Sequence, residues 1–332
     1  MAETQNIGRM AELISDEIFE EFGWKKIGPI NVNWDCVDSR HGKVTHPSDV
    51  VFYYDEPYSD LRTFVQTDLK SYAKNSISKS ALIGAINSLA MQVSCADKSE
   101  QWREHYAPDH VPYQIAGMLF VYNHDGGFDR EFSDYLEDID FSSIDLPRKN
   151  KIAVISPENI FWLHNVGQEI ARMRGRQKEG RLPDREYCSF FYPQPVRAFF
   201  VRSGEVTAAS IEVLTGPRII LRYKKEIPSV GIGYIVFHRG DGSTTEKFLY
   251  LLDYIRQHEM LHPESSIEIK AIDRDGTSQN NFQKSKLKYL EMIGGGAGHD
   301  GIYQMVKSIS FSPIRSVVPH FSETAIGMEY DR

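Results

Sequence analysis

No stretch of the chain approaches the ~18 uninterrupted apolar residues that a bilayer-spanning helix needs. The first residues, Met-Ala-Glu-Thr-Gln, lack the basic and apolar regions of a secretion signal. Cysteine is scarce. Cys36, Cys95 and Cys188 are odd in number, far apart and in no metal-ligand spacing, which argues against a disulfide scaffold and makes a reducing cytoplasm the expected compartment. No internal repeat or low-complexity tract stands out. An excess of positive charge is also missing: a formal net charge of −8 argues against a protein that coats nucleic acid non-specifically. Local basic surface is not excluded by that balance. The densest basic group holds Arg172, Arg174, Arg176, Lys178 and Arg181, with Arg185 just beyond, and is the best candidate for a contact with nucleic-acid phosphates. Smaller groups at 148–151, 222–225 and 284–288 read as solvated surface.

What is present is an alternation of helical and strand patterns in a chain of 332 residues, long enough for two domains. Met10, Ile14, Ile18 and Phe22 recur every four residues, which predicts a helix over 10–22 stopped by Gly23, with Glu17 and Glu21 bordering its apolar stripe. Strands are expected at 27–34, 49–54 and 62–70, a helix at 76–95, and a strand at 115–122. An acidic helical segment at 128–139 and a strand at 152–155 follow. The unit made by the third strand, the crossover helix and the fourth strand should be parallel. Farther on, strands are expected at 196–202, 210–214, 218–223, 233–238, 267–272 and 302–311, with helices at 245–258 and 284–293. The boundary falls near 180–190, giving an α/β domain over 1–185 and an α+β domain over 186–332.

The chemistry concentrates between Pro47-Ser48-Asp49 and Thr67-Asp68-Leu69-Lys70. Strand alternation puts Gln66, Asp68 and Lys70 on one face and Val65, Thr67 and Leu69 on the other. An acid beside a lysine on a rigid strand, with a second acid on the preceding strand, can hold a divalent cation next to a group that handles water.

This order of elements, with Asp49 opening the second strand and Asp68-Leu69-Lys70 closing the third, resembles the PD-(D/E)XK nuclease superfamily over residues 8–160. The resemblance implies a restriction-endonuclease-like domain, a central mixed sheet flanked by helices. It implies a nuclease hydrolysing phosphodiester bonds, DNA favoured over RNA, with Mg²⁺ or Mn²⁺ as cofactor. Asp49 and Asp68 would be metal ligands, Leu69 would lend its carbonyl, and Lys70 would be the catalytic lysine. Glu17 is the best match to the glutamate that many members add from the first helix, with Glu21 second. Hard Mg²⁺ takes oxygen ligands and keeps several waters, so one or two carboxylates suffice. Lys70 would either lose its proton beside the metal or stay charged and stabilise the transition state. Here the first motif reads Pro-Ser-Asp, and a register shift would make Asp55 or Glu56 the ligand. Stand-alone members often serve restriction, repair or anti-phage defence. Defence is the expected context, with a homo-oligomer or a partner defence protein involved and no membrane.

Two further readings belong to other classes. One is a non-catalytic nucleic-acid-binding or assembly subunit that keeps the fold and the basic run. The other is a zinc metallopeptidase through His258-Glu259-Met260-Leu261-His262, although Pro263 follows the second histidine where helix is disfavoured. The formal GxGxxG of Gly296, Gly298 and Gly301 lies after a helix and before an expected strand, so it reads as a flexible turn. Trp24, Trp34, Trp102, Trp162 and the Phe190-Phe191-Tyr192 cluster are expected to pack the interior.

Overall fold

A computed structural model describes residues 2–108, 111–137, 139–176, 181–193, 206–225, 231–240, 242–273, 276–294 and 300–314. The chain separates into two compact units that part between His164 and Asn165. That division falls inside a helix, earlier in the chain than the boundary expected at 185/186.

The N-terminal unit opens with helix α1 (Ala2–Glu21). It stops where expected: Gly23 takes φ 80°, and the Trp24 N–H reaches back to the Phe19 carbonyl at 2.9 Å, closing the helix through a left-handed glycine. The expected strand at 27–34 is two short pieces, β1 (Lys25–Ile27) and β2 (Val32–Asp35), broken at Gly28 and Asn31, both of positive φ. Strand β2 pairs in a separate hairpin with β3 (Thr45–Ser48). Strands β4 (Val50–Asp55) and β5 (Arg62–Tyr72) then form an antiparallel pair. Helix α2 (Lys79–Ala96), capped by Ser78, and the short α3 (Glu100–Tyr106) lead into β6 (Tyr113–Asn123). Strand β6 lies parallel to β5, as does β7 (Lys151–Ile155) to β6. The sheet order is β1-β4-β5-β6-β7.

Sequence periodicity explains how the layers pack. Phe19 of α1 stands edge-on to Phe52 and Phe120 of the sheet, at 5.2 and 6.0 Å between ring centroids. Leu82, Ile86, Leu89 and Val93 of α2 are buried in a core that also holds Val51, Phe64 and Leu119. Gly117 allows the approach of α2 over β6, since a Cβ there would lie 2.9 Å from Val93 and 3.1 Å from Leu89.

The C-terminal unit continues helix α4 (Pro157–Arg174), whose proline stands at the favoured first position. The strands β8 (Cys188–Phe190), β9 (Arg218–Lys225) and β10 (Gly231–His238) pair antiparallel in turn. Helix α6 (Thr245–Gln257) crosses to β11 (Ser266–Ala271), parallel to β10, and β12 (Ser310–Pro313) lies parallel to β11. Phe248, Leu251 and Ile255 of α6 and Phe282 and Leu290 of α7 (Ser278–Met292) bury one core between them.

Three local expectations change. Residues 210–214 form not a strand but the one-turn helix α5 (Ile211–Thr215), whose Ile211 and Leu214, three apart, bury one side. Most of 302–311 is helix α8 (Asp300–Ser308), because Ile302, Tyr303 and Val306 repeat at helical spacing before the short β12. The acidic 128–139 segment is helical only in a 3₁₀ turn, Phe132–Tyr135, with Phe128, Phe132 and Tyr135 clustered on one another. The expected strand at 196–202 lies outside the described residues. Trp24, Trp34, Trp102 and Trp162 are buried, and Phe190 with them. No described helix is long and apolar enough to cross a membrane.

Candidate active site of the N-terminal unit

Strand β5 lies in the middle of its sheet, and its burial decays toward its carboxyl end, from Gln66 and Asp68 inside to Lys70 half-exposed. The β4–β5 register pairs Val50 with Thr67, so one further step sets Asp49 opposite Asp68. The two carboxylates that the sequence separates are therefore neighbours. One oxygen of Asp49 accepts the Leu69 N–H at 2.8 Å, which fixes that carboxylate across the strand gap. Lys70 Nζ stands 2.6 Å from Asp68 Oδ1, on the shared face that alternation requires.

The electrostatics are those of a site with too little positive charge. Burial, and then the adjacent Asp68, push the Asp49 carboxyl above its ordinary range, with the Leu69 N–H opposing them. Burial works against the Lys70 ammonium, but Asp68 more than offsets it, so the lysine titrates above its usual value. The donors that converge here are carboxylate oxygens, a hard set that suits a divalent cation such as Mg²⁺ or Mn²⁺.

Behind the site a buried polar chain locks the strands. Trp34 Nε1 donates to Ser48 Oγ at 2.9 Å, and Ser48 Oγ donates to Gln66 Oε1 at 2.8 Å. The Gln66 amide donates to the Pro47 carbonyl and to Gln92 of α2, both at 3.0 Å. Every member is satisfied, which makes the network a rigid support.

The helical glutamates are arranged otherwise than expected. Glu17 is exposed and lies 3.7 Å from His164, whose pKa burial lowers to about 4. Among the described side chains of α1, Ile14, Ser15, Ile18 and Phe19 are buried, and Phe22 just beyond its end is buried with them. Glu12 lies on the Ser15–Phe19 side, and Glu17 is turned well away from it. The negative charge of Glu12 is also one of those that raise Asp49. Counting three and seven residues back from Ser15 and Phe19 would have found Glu12 from the sequence. Asp55 and Glu56 belong to the other end of the hairpin. Asp55 pairs with Arg62 at 2.9 Å, and Glu56 accepts from Gln114 at 2.9 Å.

Other sequence candidates disperse. Arg172 is bound to Glu169, with Nε donating to Oε2 at 2.8 Å, and Arg181 faces Asp184 at 3.2 Å. Arg174 and Arg176 are described and have partners, while Lys178 lies outside the described residues. The His258–His262 pair is not on one helix. Helix α6 ends at Gln257, Glu259 turns to φ 55°, and the His258 ring lies against Tyr254, 4.2 Å between centroids and tilted by 60°. The i,i+4 geometry of a zinc peptidase is therefore absent, as Pro263 foretold. Gly296 and Gly298 lie outside the described residues, and Gly301 belongs to α8.

A helix, three antiparallel strands, a crossover helix and two parallel strands, with paired acids and a lysine at the carboxyl end of the central strand, define a restriction-endonuclease-like domain. Residues 1–159 match the family model described as the GAPS4 protein PD-(D/E)XK nuclease domain, so the N-terminal unit carries a PD-(D/E)XK nuclease domain. The chain finds no match among curated proteins or solved structures. Nucleases of this superfamily generally use divalent metals.

Proposed function

We propose that the N-terminal unit hydrolyses nucleic-acid phosphodiester bonds, DNA in the first place, with Mg²⁺ or Mn²⁺ held by Asp49 and Asp68. The observation that carries this reading is the β4–β5 register, which sets Asp49 opposite Asp68 with Lys70 beside them. A bound divalent cation polarises the scissile phosphate and lowers the pKa of water. Asp68 keeps Lys70 protonated, so Lys70 donates to a phosphate oxygen and stabilises the charge that develops there. Asp49, held by the Leu69 N–H, keeps its second oxygen for the cation. Glu12, in place of Glu17 or Glu21, is the helical acid able to add a water-mediated ligand. The Leu69 carbonyl is a further candidate ligand. The reading extends to anti-phage defence, and to action as a homo-oligomer or with a partner protein, on the superfamily resemblance.

The test is plasmid cleavage by the full chain with and without Mg²⁺ or Mn²⁺. Cleavage should require the metal and should vanish in Asp68→Ala and in Lys70→Ala, both of which should still fold. Undiminished cleavage by both variants would sink the proposal. A second reading, a nuclease-like subunit that binds nucleic acid without cutting it, is favoured by the Lys70–Asp68 ion pair, which engages one prospective ligand oxygen. Calorimetric titration with Mn²⁺ separates them, since only the nuclease reading requires a cation site lost in Asp68→Ala.

A further inference from the structure

The cysteines that the sequence leaves scattered are brought together in part by the fold. Cys36 follows directly on β2, and Cys95 stands in the last turn of α2. Between β2 and β3 the chain makes a 3₁₀ turn, Ser39–His41, in which Asp38 caps the start. Gly42, at φ 58°, reverses the backbone after it, in a conformation that glycine adopts without strain. The reversal brings His41 against His46 of β3. Cys36 Sγ lies 3.6 Å from Cys95 Sγ, and His41 Nδ1 lies 3.6 Å from Cys36 Sγ and 3.2 Å from Cys95 Sγ. His41 Nδ1 and His46 Nε2 are 3.3 Å apart, and all four ligand atoms lie within 4.8 Å of one another. No other such group is found among the described residues.

We propose that Cys36, His41, His46 and Cys95 form a structural zinc site. Zinc bonds of about 2.3 Å to sulfur and 2.0–2.1 Å to nitrogen in a tetrahedron require edges of about 3.7 Å between sulfurs, 3.5 Å between sulfur and nitrogen and 3.3 Å between nitrogens. The four separations between Cys36 and Cys95, His41 and each sulfur, and the two imidazoles lie close to those edges, and the His46 nitrogen stays within 4.8 Å of both sulfurs. A disulfide does not explain the arrangement, because its sulfurs would stand about 2.05 Å apart and the two imidazoles would have no role. Two thiolates and two imidazoles form a borderline-soft set that selects zinc over Mg²⁺ or Ca²⁺. Four protein ligands leave no open position, which makes the site structural and not catalytic. The Trp34 ring, 5.1 Å from that of His46, covers the site from the hairpin side.

The site ties the β2–β3 hairpin to the end of α2. His46 is three residues before Asp49, so the staple holds the strand that delivers the acid opposite Asp68. Neither zinc binding nor its test depends on the proposed nuclease activity.

The full chain, purified under reducing conditions without chelator, should contain about one zinc per molecule by elemental analysis. Cys36→Ser and Cys95→Ser should each reduce it to background, while Asp68→Ala and the pair His258→Ala/His262→Ala keep it. Should the cysteine variants fail to fold, the wild-type protein loaded with Co²⁺ carries the test. It should show the intense visible bands of tetrahedral cobalt together with a thiolate charge-transfer band in the near ultraviolet. Three results would overturn the proposal: background zinc in the wild type with no such cobalt spectrum, unchanged zinc in both cysteine variants, or a Cys36–Cys95 disulfide in freshly purified protein.

Discussion

In the N-terminal unit the sheet runs β1-β4-β5-β6-β7, with two antiparallel and then two parallel pairings; in the C-terminal unit β8-β9-β10-β11-β12 repeat that order and those senses. Each unit has a helix before its first strand and a crossover helix between its third and fourth. Their chemistry differs. The third strand of the first unit ends in Asp68 and Lys70, whereas β10 reads Gly-Ile-Gly-Tyr-Ile-Val-Phe-His, with no carboxylate and no lysine. The second unit carries its acid and lysine on the next strand, as Glu268 and Lys270. Lys270 is only 1% exposed and reaches Glu169 of α4 at 2.9 Å, Glu268 at 3.0 Å and Ser312 at 2.7 Å. Lys70, by contrast, keeps 35% of its side chain exposed beside carboxylates that outnumber it. One frame thus supplies its own buried cation. The other leaves its carboxylates in excess beside a lysine that reaches solvent, which is where the proposed cation would bind.

The largest expected effect breaks that symmetry by function. Asp68→Ala should lower metal-dependent cleavage about a thousandfold or more. Glu268→Gln should leave cleavage per folded molecule unchanged, in the same plasmid assay. Equal losses from both would mean that the second cluster takes part in the chemistry and that the two units do not divide as described.

Stability should reverse the ranking. Glu169→Gln leaves Lys270 buried beside a weakened partner and should cost about 3–5 kcal/mol in denaturant unfolding. Glu169→Leu combined with Lys270→Met should recover most of that loss, since the apolar pair removes both desolvation penalties. Asp68→Ala should cost much less, because the Lys70 it releases reaches solvent.

The pH dependence separates the units by sign. At Glu169 burial is overcome by Arg172 and Lys270, and its pKa falls below the ordinary carboxylate range. Its contribution is full above that range and is lost as pH drops through the lowered value. Asp49 is raised, by burial first, so its contribution is present below the ordinary carboxylate range and is lost as pH rises through its own pKa. Asp49→Asn should therefore raise the metal-free unfolding midpoint at neutral pH, and Glu169→Gln should lower it. Thermal melts across the acid range read both. A lower midpoint for Asp49→Asn would show that the carboxylate is already balanced within the protein.

Much of the first unit was legible because its signals are local. Helix α1 has a four-residue stripe and a glycine stop, and the Asp68–Lys70 relation follows from alternation within one strand. Asp49 depended on register, which the sequence limits without fixing it: the acid opposite Asp68 became certain only when Val50 paired with Thr67. Cys36 and Cys95 could not be joined at all, since the hairpin and the helix end that carry them meet only through packing. The duplicated sheet plan was hidden for a related reason. Strand order and pairing sense can repeat without any repeat of residues, and β10 shares no chemical motif with β5.

The smallest effect concerns the basic run. The guanidinium of Arg172 is committed to Glu169, so Arg172→Ala should act on stability first. Arg181 pairs with Asp184 at 3.2 Å, and both side chains are more than half exposed. Such a pair contributes under ~1 kcal/mol, so Arg181→Ala should leave unfolding almost unchanged. If Arg181 meets a phosphate, the same substitution should weaken DNA binding for all sequences alike and reduce the slope of log affinity against log salt by about one. Binding of the full chain to one duplex over a salt series measures that slope. An unchanged slope would remove the run from the nucleic-acid contact and leave Arg172 with a structural role alone.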